Sequence, residues 1–377
     1  MDLGMDTILQ LFTKKGLKNL FDTASTQLSK ANENSRRIFD LRASYENSIE
    51  SVIAFLQDQD PTLSHFICTR NFLPEASKFE QLEDVEWAFG TMGIRDQARH
   101  IATLYLEDLG DLIVDVVDPH FGFSRYAERL GLSAHSFDTL YSELQEETSF
   151  ISDIMLSILK EKIESYNPTL VGLSVPFPGN LFAALQCANW LKAHHPEIKI
   201  VMGGSYPNTE LRSLSDVRVF EFVDFISLDD GETPMMALLS HLESDLEASK
   251  LKRTLTLVDG VVTYCNGSSS PDIKQEVIGC PDYSGLALKD YLSVIQLTNP
   301  MHRLWSDGRW NKLTMAHGCY WGKCTFCDIS LDYIQHYEAS TASTLVDRME
   351  TLIVGDPLDK NTDIGAINSK MQLKRIN

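Results

Sequence analysis

The sequence predicts an α/β fold in which a helical N-terminal region precedes a doubly wound parallel sheet. Residues 1–105 are rich in helix formers, and stretches such as SIESVIAFLQ carry apolar residues at helical spacing. From residue 111 onward, short apolar runs alternate with helical windows, which is typical of parallel strands joined by crossover helices. Asp259 and Gly260 then stand between two β-rich runs, TLTLV and VVTYC, and this pattern predicts a hairpin with a type I′ turn.

Buried strands are predicted in the sheet wherever an apolar run ends in turn-forming residues. These strands are residues 111–117, 169–175, 198–204 and 222–228. Their following loops are expected on one side of the sheet, and the helix after the second strand should stop at Pro196. The predicted domains are a helical region (1–105), a sheet domain (106–250), a hairpin and connector (251–300) and a C-terminal region (301–377).

Composition limits the classes of partner. The net charge of −20 over 377 residues argues against nucleic acid, because phosphate binding needs clustered Lys and Arg. No run of about 18 apolar residues exists, and the first residues lack the apolar stretch of a secretory signal. We therefore expect a cytoplasmic protein that acts on a small molecule or peptide, without a membrane partner. Scattered cysteines are interpreted as small buried residues; they are Cys68, Cys187, Cys265 and Cys280.

The remaining cysteines form a Cys-x4-Cys-x2-Cys cluster in the segment HGCYWGKCTFCDIS. They are Cys319, Cys324 and Cys327. Thiolates so close in sequence can converge on one soft metal centre, and Gly318 and Gly322 allow the loop to curl around it.

The number of cysteines leaves three alternatives for this loop. A structural zinc site needs a fourth ligand, for which His317 is the nearest candidate. A four-iron cluster held by three cysteines instead keeps one iron free to bind a cofactor. The third alternative is that the cysteines are structural and bind no metal.

The cysteine loop resembles the cluster loop of radical S-adenosylmethionine enzymes, because an aromatic residue, Phe326, directly precedes its last cysteine. The resemblance implies a 4Fe–4S cluster on the three cysteines, S-adenosylmethionine on the open iron, and Phe326 beside the adenine. The first gap is one residue longer than the commonest Cys-x3-Cys-x2-Cys. Members with an upstream cobalamin domain tolerate longer gaps.

The sheet segment resembles the Rossmann-like cobalamin-binding module, through TLVGLSVPFPGN and IKIVMGGSYPN. In doubly wound sheets, ligands bind beyond the carboxyl ends of the strands, where glycines let the backbone approach them. The resemblance implies that a serine facing the nucleotide tail, a glycine pair and an acidic-glycine turn bind cobalamin. These residues are Ser174, Gly203, Gly204, Asp230, Gly231 and Glu232.

The loop DPHFG departs from the Asp-x-His-x-x-Gly of classical cobalamin proteins, with one residue too few before the glycine. His120 is therefore interpreted as an ordinary loop histidine, with cobalt ligation as the alternative. Residues 281–294 resemble the connector that joins the two domains in the family.

The C-terminal region is expected to hold only the start of a radical S-adenosylmethionine partial (β/α) barrel. A strand is predicted at 312–315 and a helix at 340–354, but no apolar strand follows. We expect a truncated or frameshifted form that assembles a fragile cluster without productive cleavage of S-adenosylmethionine, which leaves room for a partner subunit. The alternatives are a cobalamin or other ligand-binding module without catalysis, and a zinc-stabilised interaction protein.

Overall fold

The computed structural model describes residues 1–82, 93–123, 136–244, 247–283, 286–295, 313–325, 327–328 and 330–354. The predicted α/β fold is confirmed, with helices first and a five-stranded sheet after them. The α-helices are α1 (Leu3–Leu11), α2 (Lys14–Ser25), α3 (Glu33–Asp40), α4 (Arg42–Leu56), α5 (Leu63–Cys68), α6 (Ile94–Val116), α7 (Asp138–Gln145), α8 (Phe150–Tyr166), α9 (Leu181–His194), α10 (Ser205–Glu210), α11 (Glu232–Ser244), α12 (Asp332–Gln335) and α13 (Ala342–Val354).

The strands are β1 (Leu170–Ser174), β2 (Lys199–Gly203), β3 (Phe225–Ser227), β4 (Thr254–Val258), β5 (Val261–Cys265), β6 (Ala316–His317) and β7 (Glu338–Ala339). Short 3₁₀ turns occupy Leu28–Lys30, Ser77–Gln81, Pro178–Asn180, Val217–Glu221, Ala248–Lys250 and Leu288–Asp290. No helix of the described residues is both long and apolar enough to span a lipid bilayer.

The helices α1 to α6 pack around one apolar core whose centre is α6. Polar side chains define where several of these helices begin. Thr13 accepts a hydrogen bond from the Gly16 amide at the start of α2, and Asn32 accepts one from the Ser35 amide at the start of α3. Such caps satisfy amides that have no partner within the helix.

The strand predicted at residues 111–117 is wrong, because this segment is the C-terminal part of α6 and the loop that follows it. Leu109, Leu112, Ile113 and Val116 are all buried and recur at intervals of three and four, which is the spacing of a helix face. The β-branched run IVDVV therefore continues the helix that begins upstream, despite its strand propensity. The boundary drawn between residues 105 and 106 consequently lies inside α6.

The sheet has the order β1-β2-β3-β4-β5. The strands β1, β2 and β3 are parallel and confirm the predictions at 169–175, 198–204 and 222–228 with shorter bounds. The predicted hairpin is also confirmed, since Asp259 and Gly260 both have positive φ, at 50° and 77°.

The expectation of a wholly parallel sheet is wrong, because the hairpin joins the sheet. β4 pairs antiparallel with β3, so the hairpin extends the sheet instead of standing outside it as a connector. Helices cover both faces: α8 and α9 pack on the side of Ile200 and Met202, whereas α11 packs on the side of Val201 and Phe225. Helix α9 ends before Pro196, as predicted.

Residues 286–295 lie on the helical region. Gln57 donates a hydrogen bond to the Asp290 carbonyl at 2.9 Å, and the Ser293 amide donates to the Leu56 carbonyl at 2.8 Å. The Ile295 amide donates to Thr103 Oγ1 at 2.9 Å. This connector therefore joins the helical region to the chain that leads to the cysteines.

In the described residues after 313, the secondary structure consists of β6, α12, β7 and α13. The helix predicted at 340–354 is confirmed as α13. The strand predicted at 312–315 is wrong for its described residues 313–315, because strand β6 comprises Ala316–His317, where it pairs antiparallel with β7. Residue 312 lies outside the described residues.

Candidate functional site

The carboxyl ends of the parallel strands bring Ser174 and Gly203 together. The two residues are register partners at the last position of β1 and β2. The Val175 amide donates to the Gly203 carbonyl at 2.8 Å, and the Tyr206 amide donates to the Val175 carbonyl at 3.1 Å. Ser174 itself is exposed, so its hydroxyl is open to a ligand at this edge.

Gly204 lies at a close approach between the loops after β1 and β2. Its φ of 108° and ψ of −177° belong to a region that only glycine occupies readily. A Cβ at this residue would come 2.7 Å from the Val175 carbonyl oxygen. At Gly203 the nearest atom to such a Cβ is the Ser227 carbonyl oxygen at 3.7 Å, which is ordinary contact.

The loop after β3 is held by two side chains that the sequence analysis did not identify, Asn208 and Arg212. The Asp229 amide donates to Asn208 Oδ1 at 2.7 Å, and the Asp229 carboxylate pairs with the Arg212 guanidinium. Asp229 has a left-handed φ of 60°, and its side chain is only 4% exposed. The signal that could have identified them is an Asn four residues after the glycine pair and an Arg four residues after that Asn.

Asp230 faces the segment that leads into the cysteine loop. Its Oδ2 lies 3.0 Å from His317 Nε2, although this buried ring nitrogen makes no aligned hydrogen bond. Burial raises the pKa of the Asp230 carboxyl, and the charge of His317 acts in the opposite direction. Gly231 and Glu232 are exposed at the start of α11, so the structure brings Asp230 alone of these three against His317.

Asp230 and His317 line a cavity of about 330 Å³ beyond the carboxyl ends of the strands. The loop after β3, the residues after β5 and the segment from α12 to β7 form its walls. The lining residues are Asp229, Asp230, Arg253, Asp272, Ile273, Gln275, His317, Tyr333, Gln335, His336 and Glu338. This position is the one at which open α/β sheets bind ligands.

Two glycines shape the cysteine loop, as predicted. Gly318 and Gly322 both have left-handed backbones, with φ of 72° and 56°. A Cβ on Gly318 would overlap the His336 carbonyl, whereas a Cβ on Gly322 would meet open space. The Cys319 amide donates to the Ile334 carbonyl at 2.9 Å and so fixes the start of the loop against α12.

The thiols of this loop are free and differ in exposure. Cys319 and Cys327 are half-buried, Cys324 is exposed, and the Gly322 amide donates to Cys319 Sγ at 3.4 Å. Three thiols have the donor chemistry of a soft metal centre. The described residues nevertheless contain no group of three or more His, Cys, Asp or Glu side chains placed to hold a metal ion. Phe326 lies outside the described residues.

His317 and His120 each have a partner in the protein. His317, the nearest candidate for a fourth zinc ligand, faces Asp230. His120 Nε2 lies 3.5 Å from a Glu143 carboxylate oxygen, and its ring lies 6.0 Å from that of Phe182. These contacts accord with an ordinary loop histidine.

The scattered cysteines were interpreted as buried structural residues. Cys187 and Cys265 are buried, and burial raises the pKa of the Cys187 thiol to about 12. Cys68 and Cys280 are half-buried, and burial raises the pKa of Cys68 to about 11. High thiol pKa values keep Cys187 and Cys68 protonated and unreactive at neutral pH.

Fold and site together define an α/β protein with a polar cavity at the ends of its parallel strands, next to a three-cysteine loop. No family model, curated protein or solved structure matches the chain.

Proposed function

We propose that this chain is a radical S-adenosylmethionine family protein whose three loop cysteines bind a 4Fe–4S cluster and whose sheet domain binds cobalamin. The observation that carries the proposal is the 3.0 Å contact between Asp230 and His317. Asp230 belongs to the loop after β3, and His317 lies two residues before Cys319. A ligand at the strand ends and a metal centre on the cysteines would therefore be neighbours.

Residues of this chain would have distinct roles in such a site. Cys319, Cys324 and Cys327 would ligate the cluster, and Gly318 would let the loop pass against the His336 carbonyl. When bound, the reduced cluster would supply the electron that cleaves S-adenosylmethionine. Because the thiols do not stand together as a formed site, cluster assembly would require the loop to draw its sulfurs closer.

The support for cobalamin is the geometry of the strand ends. Ser174 is exposed at the end of β1, and Gly204, which is also exposed, lets the loop after β2 pass against Val175 in the loop after β1. Both features suit a ligand that lies across the loops beyond the sheet. Asp230 would then stand between this ligand and the cysteine loop.

Anaerobic reconstitution with iron and sulfide tests the cluster. We expect about four irons and four acid-labile sulfides per chain, with charge-transfer absorption in the visible range. A variant with Cys319, Cys324 and Cys327 all changed to Ala should lose this iron, whereas Cys280→Ala, outside the loop, should retain it. Equal iron in the triple variant and the wild type would refute the assignment.

Titration of the full chain with hydroxocobalamin tests the sheet domain. We expect a bound corrin whose visible spectrum is the same in the wild type and in His120→Ala, because His120 faces Glu143 and Phe182. A shifted corrin spectrum in His120→Ala would instead identify this histidine as a cobalt ligand. Failure of cobalamin to remain bound through gel filtration would refute this half of the proposal.

A zinc-stabilised interaction protein is the second candidate, and exposed aromatic residues favour it. Tyr320 and Trp321 stand in the cysteine loop with 80% and 57% of their surface exposed. Aromatic residues are enriched where proteins bind one another. One tightly held zinc per purified chain, with no iron taken up on reconstitution, would support this candidate over the first.

A further inference from the structure

We propose that the cavity beside Asp230 binds a small zwitterion of the α-amino acid type, with its carboxylate on Arg253 and its ammonium on Asp230. This inference does not rest on the proposed cluster or cobalamin, because it uses only side chains that line the cavity. It is carried by two polar groups of opposite character, Arg253 Nε and the Asp230 carboxylate, that make no aligned hydrogen bond within the described residues.

The first of these groups is the guanidinium of Arg253, whose side chain is only 6% exposed. Its Nη2 donates to Asp272 Oδ1 at 2.7 Å. Its buried Nε makes no hydrogen bond, since the nearest carboxylate oxygen, Asp229 Oδ2, lies 3.8 Å away. A buried donor without an acceptor destabilises the folded protein, and more strongly when it is charged. A ligand that brings an acceptor to Nε would remove this destabilisation.

The second group is the carboxylate of Asp230, which is 39% exposed. It accepts no hydrogen bond from the described residues. His317 Nε2 lies 3.0 Å from Asp230 Oδ2 but is not aligned for a hydrogen bond. Asp230 can therefore accept from a ligand, and an ammonium group supplies both the donors and the opposite charge.

The other carboxylates of the cavity already have partners. Asp229 pairs with Arg212. Asp272 accepts from Arg253 and lies 3.2 Å from Lys252 Nζ. Glu338 accepts from the Gln275 amide at 2.8 Å and contacts His336 at 2.9 Å. Asp230 is thus the carboxylate of this lining that remains for a ligand.

The charge balance favours a zwitterion over a simple ion. Four carboxylates line the cavity, and three cationic side chains, Arg212, Arg253 and Lys252, lie against them. Among these carboxylates, guanidinium groups and the ammonium group, one negative charge is in excess, which disfavours a lone anion. A lone cation would leave Arg253 Nε without an acceptor. A ligand with both charges satisfies both groups.

The size of the cavity selects a small ligand. Its volume of about 330 Å³ is at the low end of ligand pockets, which measure roughly 300–1,000 Å³. Once the ammonium and carboxylate are seated, Tyr333, Gln335 and Ile273 remain to surround a short side chain. Alanine is therefore a suitable probe.

The test is calorimetric titration of the full chain, without added iron, sulfide or cobalamin, using L-alanine and the two compounds left when one of its charged groups is removed. L-alanine carries both charged groups, propionate lacks the ammonium, and ethylamine lacks the carboxylate. We expect alanine to bind at least about tenfold more tightly than either partial compound, since each of these compounds loses one charge-assisted contact.

Variants identify the residues that bind. Asp230→Asn should weaken alanine binding at least about tenfold by removing the anion, and Arg253→Lys should weaken it by removing the Nε donor. Asp259→Asn, at the hairpin turn, is the matched control and should bind as the wild type does. Because Arg253 is buried, the binding result for Arg253→Lys is used only if its circular dichroism spectrum matches that of the wild type. If it does not, Asp230→Asn is the deciding variant, because Asp230 is more exposed.

Three outcomes would overturn the inference: no heat from alanine at about 10 mM, equal binding of all three compounds, or unchanged affinity in Asp230→Asn. Since no cofactor is present, none of these outcomes bears on the proposed cluster. Loss of iron in the triple cysteine variant likewise says nothing about alanine. The two proposals therefore fail separately.

Discussion

Gly204 is a residue at which backbone conformation and packing both require glycine. Its φ of 108° disfavours any side chain, and the Val175 carbonyl occupies the space that a Cβ would need. Its neighbour Gly203 is under neither constraint, since a Cβ there would make only ordinary contact. The pair thus offers a substitution and its matched control.

We predict that Gly204→Ala lowers the free energy of unfolding by about 2 kcal/mol or more, because backbone strain and overpacking each cost about 1–3 kcal/mol. Gly203→Ala should change the free energy of unfolding by less than about 1 kcal/mol. Urea unfolding followed by circular dichroism measures both. Equal stability of the two variants would show that the close approach at Gly204 is unimportant.

Asp108 is a fully buried carboxylate that fixes the chain after α5 to α6. It accepts hydrogen bonds from the Ala76 and Lys78 amides at 2.9 and 3.0 Å, and Tyr45 Oη lies 3.4 Å away. Burial raises the pKa of Asp108 to about 6, although the two backbone amides act in the opposite direction. The protonated form is therefore favoured in the folded state relative to the unfolded chain.

This pKa predicts how stability changes with pH. The unfolded pKa of Asp is about 3.9, so the contribution of Asp108 is fully present below that value and is lost as pH rises through 6. The wild type should lose about 3 kcal/mol between pH 4 and 7 relative to Asp108→Asn, since each pKa unit corresponds to about 1.4 kcal/mol. Urea unfolding of both proteins at several pH values checks this. Parallel stability curves would contradict it.

At the scale of elements, the path of the cysteine loop depends on two glycines with different surroundings. Gly318 lies against the His336 carbonyl, next to the β6–β7 pair, whereas Gly322 turns in open space. A side chain on Gly318 must therefore push the loop away from the segment between α12 and β7. A side chain on Gly322 meets only the penalty of its left-handed backbone.

We predict that Gly318→Ala loses most of the iron that the wild type takes up on anaerobic reconstitution, because the start of the loop is displaced. Gly322→Ala should retain most of it, since a left-handed residue costs only about 1–2 kcal/mol. Iron and sulfide per chain are the measurements, with apparent melting temperature as a check on folding. Greater loss in Gly322→Ala would show that the curl at residue 322 matters more than the contact at 318.

The elements that sequence patterns predicted best are those whose signal is local. The hairpin follows from the backbone demands of Asp259 and Gly260, and the positive φ of Gly318 and Gly322 follows from the need of a short loop to turn. The strand prediction at 111–117 is wrong because a short β-branched run is compatible with either a buried strand or a helix. Only its continuity with the apolar face of α6 decides for the helix.

Those parts of the site that depend on local sequence signals were likewise predictable. Ser174 and Gly203 end their strands and Asp230 follows β3, so their position was inferable from the sheet alone. The partners of Asp229 were not, because Asn208 and Arg212 reach it from the neighbouring loop by tertiary packing. The cavity also needs Arg253 and Asp272, which approach it only because the hairpin joins the sheet antiparallel to β3.

At the scale of the whole molecule, helix packing and the connector both join the helical region to the rest of the described chain. α1 packs against α8, which precedes β1. The connector at 286–295 lies across α4 and α6 through backbone and side-chain hydrogen bonds. The side chain of Gln57 makes the contact that is simplest to remove.

We predict that Gln57→Ala increases hydrogen exchange of the amides in residues 286–295 about fivefold, since one net hydrogen bond is worth about 1 kcal/mol. Exchange in β1 to β3 should stay as in the wild type. Gln27→Ala, at an exposed residue after α2, serves as the control. Faster exchange across the whole sheet in Gln57→Ala would mean that the connector supports global stability and not a local contact.

The connector also has a consequence for the order in which the chain folds. Tyr291 Oη donates to Asp2 at 2.7 Å, so this bond joins residues 289 positions apart. A ribosome releases the helices long before residue 291 exists, and domains generally fold as units in the order of synthesis. The groove between Ile8, Leu106 and Phe123, which Leu292 and Val294 complete, would then face solvent until residues 292–294 have been synthesised. A nascent chain halted before residue 286 should therefore expose an apolar surface that chaperones can bind.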